Sequence, residues 1–373
     1  MRIETFIDII GAEFYTGVPD SQIRALCDYL WDTYSDKPNH HIIAANEGNA
    51  VAIAAGYHLA TGKIPVIYMQ NSGEGNAINP LASLMNDNVY AVPAIFIIGW
   101  RGEPGVQDEP QHVYQGKVTG PLFDIMGVEH RVVSPKTTPD EVNVIMERFR
   151  NLLSVGKQAA FMIRKGAFSY ERETVYSNDN TLTREEVIEH IVGVSAGDSV
   201  ISTTGKTSRE LFEVRERNHS PHNADFLTVG SMGHCSSIAL GVALNTDKTV
   251  WCIDGDGAAL MHLGALPVIA SAHVHNLIHI VINNEAHESV GSQPTALKNM
   301  NISDIARACG YPYTVCVDES HSLHRELRAA KERKALTLIE VKCKIGSREN
   351  LGRPTSTPGE NKKMFMEKLL LGK

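Results

Sequence analysis

IDGDGAAL, residues 253–260, decides how this chain folds: it closes the apolar run VWCIDGDG and sets Asp256 between Gly255 and Gly257. The run reads as a buried strand entering a tight turn, where glycine permits close backbone approach. Twenty-five residues, 258–282, separate Gly257 from a second landmark, Asn283-Asn284, at the end of the strand-like run LIHIVI. In a β-α-β unit two such strand ends lie side by side at the carboxyl edge of the sheet, where these folds bind ligands. Asp256 and the asparagines are then expected to converge as hard oxygen ligands of the kind Mg²⁺ takes. Gly257 would let backbone N–H groups reach a diphosphate, helped by a helix starting at Ala258.

Three other readings compete for these residues. A dinucleotide fingerprint needs glycine or alanine where Leu260 stands. A P-loop is suggested by TTGKTS (203–208), but Val200 occupies its first-glycine position. A bare turn capping a helix accounts for GDG, though not for the asparagines at that spacing.

The chain has 373 residues, enough for two domains. Hydrophobic residues make up 43% and charged ones 21%, so a soluble globular protein with a substantial core is expected. The net charge of −8 argues against nucleic acid as a partner, and no apolar run is long enough to span a bilayer. Glu4 and Asp8 interrupt the first apolar stretch, which therefore does not read as a signal peptide. The six cysteines include no C-x-x-C pair, which fits free thiols and a cytoplasmic location.

Short β-rich runs alternate with helical stretches, which predicts α/β layers with parallel sheets. The expected strands are 64–69, 94–99, 159–164, 199–203, 249–254, 277–283 and 336–342. A polar stretch, SYERETVYSNDN (169–180), separates the halves, and Thr183 with Glu186 can open a helix as a capping box. The expected organisation is two doubly wound parallel-sheet domains, 1–168 and 182–373 with a C-terminal tail, joined by a linker over 169–181. Pro267, inside the helix expected after GDG, should bend it. The histidines of HVHNLIH (273–279) suggest a metal site, but Leu277 and Ile278 mark a strand start and weigh against it.

GDG, then 25 residues, then NN resembles the signature of enzymes that use thiamine diphosphate (ThDP). The resemblance implies that Asp256, Asn284 and the backbone carbonyl of Ala286 ligate Mg²⁺, which bridges the cofactor's phosphates, with Gly255, Gly257 and Ala258 lining that side. It also implies a carboxylate against the aminopyrimidine ring, matched by Glu47 in HIIAANEGNAVAIAAGYHLATG (41–62), where a short strand would end at Glu47 and favour the ring's imino tautomer. VGSMGHCSSIALGVAL (229–244) resembles the segment whose first glycine, here Gly230, accepts from the pyrimidine amine while Met232 props the cofactor. MQNSGEGNAINP (69–80) would cover the pyrimidine with Asn71, Ser72 and Gly73, and Gly205 and Lys206 would reach the cofactor from TTGK. In such decarboxylases the two halves of the site usually meet across a subunit interface, so self-association is implied.

The length leaves no room for a middle domain, and in this the chain is similar to the compact phosphonopyruvate and sulfopyruvate decarboxylases. TGVPDS (16–21), NEGNAVAIAAGY (46–57) and DEPQH (108–112) resemble both, while TTGKTSREL (203–211), NNEAHESVGSQPT (283–295) and LGRPTSTPGENK (351–362) extend the phosphonopyruvate match. This implies a 2-oxo acid substrate, 3-phosphonopyruvate, converted to phosphonoacetaldehyde and CO₂ in phosphonate biosynthesis. Asp20 and Ser21 would face the substrate, His112 would handle a proton, and the phosphonate would need a cation such as Arg101, Lys206, Arg209 or Arg353. The alternatives are sulfopyruvate as substrate, a carboligase using the same cofactor, and a P-loop nucleotide-binding protein built on Lys206.

Overall fold

The computed structural model describes residues 1–370, so the end of the expected C-terminal tail, 371–373, lies outside the described residues. Two compact units divide the chain, Met1–Val175 and Tyr176–Lys373, each with its own sheet and core. The first contains β1 (Tyr15–Gly17), β2 (His41–Ile43), β3 (Val66–Gln70), β4 (Ala94–Gly99), β5 (Glu129–Val133) and β6 (Gln158–Ile163). The second contains β7 (Ser199–Ser202), β8 (Asp225–Leu227), β9 (Val250–Gly255), β10 (Leu277–Asn283), β11 (Tyr313–Val317) and β12 (Thr337–Lys342). The sheets run β2-β1-β3-β4-β6-β5 and β11-β12-β10-β9-β7-β8. Renumbered from one within its unit and read from the β8 edge, the second becomes 2-1-3-4-6-5, the order of the first.

Burial on both sheet faces explains why the central strands are nearly continuous apolar runs. In β4, Ile95 and Ile97 enter a core with Phe6, Leu26 and Phe161, while Phe96 and Ile98 enter another with Val51, Met69 and Phe123. In the second unit Trp251 and Ile253 pack on one side of β9, and Val250 and Cys252 on the other. Helices cover both faces, as the doubly wound expectation requires.

The seven strands expected by range are present within a residue or two, the short strand expected before Glu47 is β2, and four more escaped the sequence. Three of these, β5, β8 and β11, lie at sheet edges, where partial exposure admits polar residues such as those of EHRVV and blurs the pattern. The fourth, β1, has only three residues. The strand before Glu47 ends at Ile43; Glu47 itself is the first residue of the helix Glu47–Thr61, behind the Asn46 cap. The capping box at Thr183 and Glu186 forms, opening the helix Arg184–Val194.

Two local expectations are corrected beyond GDG. The helix begins at Asp256, not Ala258, and stops at Met261. A new helix, Ala265–Ser271, then carries Pro267 in its first turn, where no helical partner waits for the missing N–H. The proline therefore follows a break instead of bending a continuous helix.

Candidate active site

In each sheet the chain leaves the first strand of the unit toward one edge and returns on its other side. This puts a topological switch point between β1 and β3, and another between β7 and β9. In the second unit the strand-end loops there are TTGK and GDG. The β9–β10 pairing aligns Gly255 with Ile282, so Asp256 and Asn284 emerge side by side beyond the strand ends. The two asparagines differ in fate: Asn283 stays in the sheet, its Nδ2 donating to Glu340 Oε1 at 2.8 Å. Only Asn284 of the asparagine pair reaches the site.

The four loops at this edge are tied together. Gly230 N–H donates to Thr204 Oγ1 at 3.1 Å, joining the β8 loop to the β7 loop. Gly205 (φ +88°) and Gly230 (φ +69°) both hold left-handed backbone, and Ser231 follows at φ +46°. A Cβ on Gly257 would stand 3.3 Å from His287 Nδ1 and 3.6 Å from Met232 Cε, so the glycine leaves room for both neighbours. Ala286, from the loop after β10, is buried and bridges to Pro294.

Asp256 is 4% exposed. Thr295 Oγ1 donates to its Oδ2 at 2.7 Å, and burial pushes its pKa up to about 7. Among the described residues no lysine or arginine forms an ion pair with it. A desolvated carboxylate beside an amide oxygen and lacking a protein counter-charge is the donor set a hard divalent cation takes. The residues present therefore fit Mg²⁺.

Glu288 lies behind this pair and was not singled out from the sequence. Its carboxylate accepts from Asn284 Nδ2 (2.8 Å), Arg184 Nη1 (2.9 Å), Lys206 Nζ (2.7 Å) and Gly346 N (3.2 Å). Burial alone would raise its pKa, but Arg184 and Lys206 hold it at about 2. Lys206, expected at the cofactor, thus points its charge at Glu288. The P-loop reading also fails here, because Val200 is a fully buried residue of β7.

Beneath the same edge, Asp254 Oδ2 and His279 Nε2 face each other at 3.5 Å, near Cys252, and Cys235 Sγ stands 3.4 Å from Cys252 Sγ. All four are at most 1% exposed, so the group is sealed in the sheet interior.

In the first unit the β1 and β3 loops carry TGVPDS and NSGEG. Glu47, 5% exposed, accepts from Asn76 Nδ2 at 2.7 Å. Burial raises its pKa. A Cβ on Gly73 would lie 2.3 Å from Glu47 Oε1, so the β3 loop closes directly over this carboxylate. Asn71 is fully committed inside the protein: its amide donates to Arg101 O and Thr119 Oγ1, both at 2.9 Å, and accepts from Arg101 N at 3.1 Å. Ser72 is exposed and donates to Gln70 Oε1 at 2.7 Å. Glu74, beside them, is buried with neither oxygen partnered, and burial lifts its pKa to about 9.

Asp20 is fully buried, accepts from Gln70 Nε2 at 2.5 Å, and has a pKa raised by burial to about 6. Arg101 grips Asp108 with two nitrogens and reaches Ser21 Oγ at 3.4 Å. His112 lies on the helix Pro110–Ile125, half-buried, with Nδ1 unpartnered; burial and then Arg101 lower its pKa. Asp20, Ser21 and Arg101 thus belong to one cluster, and Arg101 also acts on His112 electrostatically. In the second unit Arg209 is spent on the carbonyls of Leu351 and Gly352, while Arg353 is exposed beside them.

The N-terminal TPP binding domain of thiamine pyrophosphate enzymes matches residues 4–124, and the C-terminal TPP binding domain matches 203–341. A phosphonopyruvate decarboxylase of Streptomyces hygroscopicus is 34% identical over 96% of this chain and 90% of its own. A sulfopyruvate decarboxylase of Methanosarcina acetivorans is 31% identical over 96% of this chain and 94% of its own. The sulfopyruvate decarboxylase subunit beta of Methanocaldococcus jannaschii is 37% identical over 43% of this chain and 80% of its own.

Proposed function

From the premise that this chain belongs to the thiamine pyrophosphate enzyme family and is a ThDP-dependent decarboxylase, we propose that its substrate is 3-phosphonopyruvate, cleaved to phosphonoacetaldehyde and CO₂. The observation that carries this reading is the match to a phosphonopyruvate decarboxylase along 96% of the chain. When bound, the cofactor supplies a thiazolium ring that accepts the electron pair left as CO₂ departs.

The residues divide the remaining work. Asp256, Asn284 and the Ala286 carbonyl would hold Mg²⁺, and Gly205, Gly230, Gly255, Gly257 and Ala258 would let the backbone approach the diphosphate. Met232 would support the ring system. Glu47 would hydrogen-bond the pyrimidine, and its raised pKa suits a carboxyl that shares a proton with a ring nitrogen. Gly73 and Ser72 would cover that ring, with Asn71 holding the loop in shape. Asp20, Ser21, Arg101 and Arg353 would meet the substrate, and His112, which burial keeps neutral at physiological pH, would move the proton at the substrate carbon. Two copies would associate so that Glu47 of one serves the Asp256 site of the other, in the cytoplasm.

Sulfopyruvate is the second reading, favoured by the full-length relative at 31% identity. Steady-state rates with both acids separate them. A higher kcat/KM for 3-phosphonopyruvate is expected, and a preference for the sulfonate overturns the assignment.

A further inference from the structure

We propose that Glu288 is the positioning residue of the cation site: it sets which face of the Asn284 amide looks at the metal. The proposal rests on the reading of Asp256 and Asn284 as Mg²⁺ ligands. A carboxylate only accepts hydrogen bonds and a backbone N–H only donates. Asn284 Nδ2 donates to Glu288 Oε2 at 2.8 Å, while its Oδ1 accepts from Ala286 N at 3.2 Å. These two contacts allow the amide only one orientation, with the oxygen turned away from Glu288 and one lone pair left for a cation. Without Glu288, only the 3.2 Å contact from Ala286 N opposes a flip that would aim the amide N–H groups at the metal.

Glu288 is itself immobilised from three elements. Arg184, at the start of the helix Arg184–Val194, binds Glu288 and also grips Glu210 through Nε at 2.5 Å and Nη2 at 2.7 Å. Lys206 reaches it from the TTGK loop, and Gly346 N–H from the segment after β12. The segment between Asn284 and Thr295 folds back on itself, with His287 N donating to Gln293 O and Thr295 N to Glu285 O, at 2.8 and 2.9 Å. One loop therefore carries Asn284, its orienting partner Glu288, and Thr295, which holds Asp256. Lys206 and Arg184 act on the site through Glu288. Outer-shell partners of this kind typically affect metal affinity by 10–100-fold.

The test is Glu288→Gln in the full-length protein, reading the Mg²⁺ concentration that half-saturates ThDP binding, followed by tryptophan fluorescence without substrate. The expected result is a rise of about 10–100-fold, with kcat at saturating Mg²⁺ returning close to wild type. A variant with reduced kcat or melting temperature and unchanged Mg²⁺ dependence overturns the positioning role. Asn284→Ala separates the levels. If it binds Mg²⁺ as wild type does, the ligand reading itself falls; if it loses Mg²⁺ while Glu288→Gln does not, only the role of Glu288 falls. Lys206→Met keeps the acceptor in place and serves if Glu288→Gln does not fold. Its weaker ThDP binding should be rescued by raised Mg²⁺, and a loss that Mg²⁺ leaves unrescued would assign Lys206 to the diphosphate directly and refute its action through Glu288.

Discussion

Adding one methyl group at Gly73 should disable the enzyme while leaving it folded. The new Cβ would stand 2.3 Å from Glu47 Oε1 and 2.5 Å from its Cδ and Cγ. Ordinary carbon contacts begin near ~3.5 Å, so the carboxylate must retreat by about 1 Å. It has little room, being 5% exposed and held by Asn76 at 2.7 Å. A shift of that size in a reacting group costs on the order of 100-fold in rate, and the overpacking costs about 1–3 kcal/mol of stability. The assay is steady-state decarboxylation by Gly73→Ala with its melting temperature alongside. Gly193→Ala, at an exposed position of the helix Arg184–Val194 where a Cβ meets nothing within 4 Å, should keep full activity and gain roughly 0.5–1 kcal/mol. A Gly73→Ala enzyme with wild-type kcat would show that Glu47 is free to move, and would refute the tight closure of the loop on it.

The same geometry applies at Gly99, whose Cβ would lie 2.0 Å from Asp20 Oδ2. Gly99→Ala should displace Asp20 and raise KM for the 2-oxo acid, and an unchanged KM would separate Asp20 from the substrate. Glu74 has a folded-state pKa of about 9 against an ordinary 4.5. Its contribution to stability is therefore fully present below pH 4.5 and is lost as pH rises toward 9, at up to ~1.4 kcal/mol per unit. Glu74→Gln should flatten that decline in denaturant titrations at pH 5 and pH 8; equal slopes in both proteins would mean the carboxyl finds a partner. Arg215 pairs with Asp225 at 2.8 and 2.9 Å in the core of the second unit. Arg215→Met leaves a buried charge unpaired and should cost about 3–5 kcal/mol, on the order of 10 °C in melting temperature. A smaller loss than ~1 kcal/mol would contradict the burial of that pair.

The central strands were legible because burial on both faces makes them apolar throughout, and the spacing from GDG to Asn284 follows from one β-α-β unit. The edge strands β5, β8 and β11 were not, since solvent on one side admits Glu129 and Arg131 into β5. Neither was the break at 262–264, because Pro267 marked a disturbance in the helix without saying on which side it fell. Asn283 and Asn284 look equivalent in sequence, yet the pleat turns the first toward Glu340. Glu288 and Thr295 went unseen for a different reason: their roles depend on a loop folding back, and no period or spacing encodes that. The cations Arg101 and Lys206 were visible as charges, while their partners, Asp108 and Glu288, emerge only from tertiary packing.

The most direct test is CO₂ release from 3-phosphonopyruvate by protein stripped of cofactor, then supplied with ThDP, Mg²⁺, both or neither, beside Glu47→Ala. The account predicts release only with both present and near-complete loss in the variant. Release that proceeds without ThDP, or undiminished in Glu47→Ala, would contradict it.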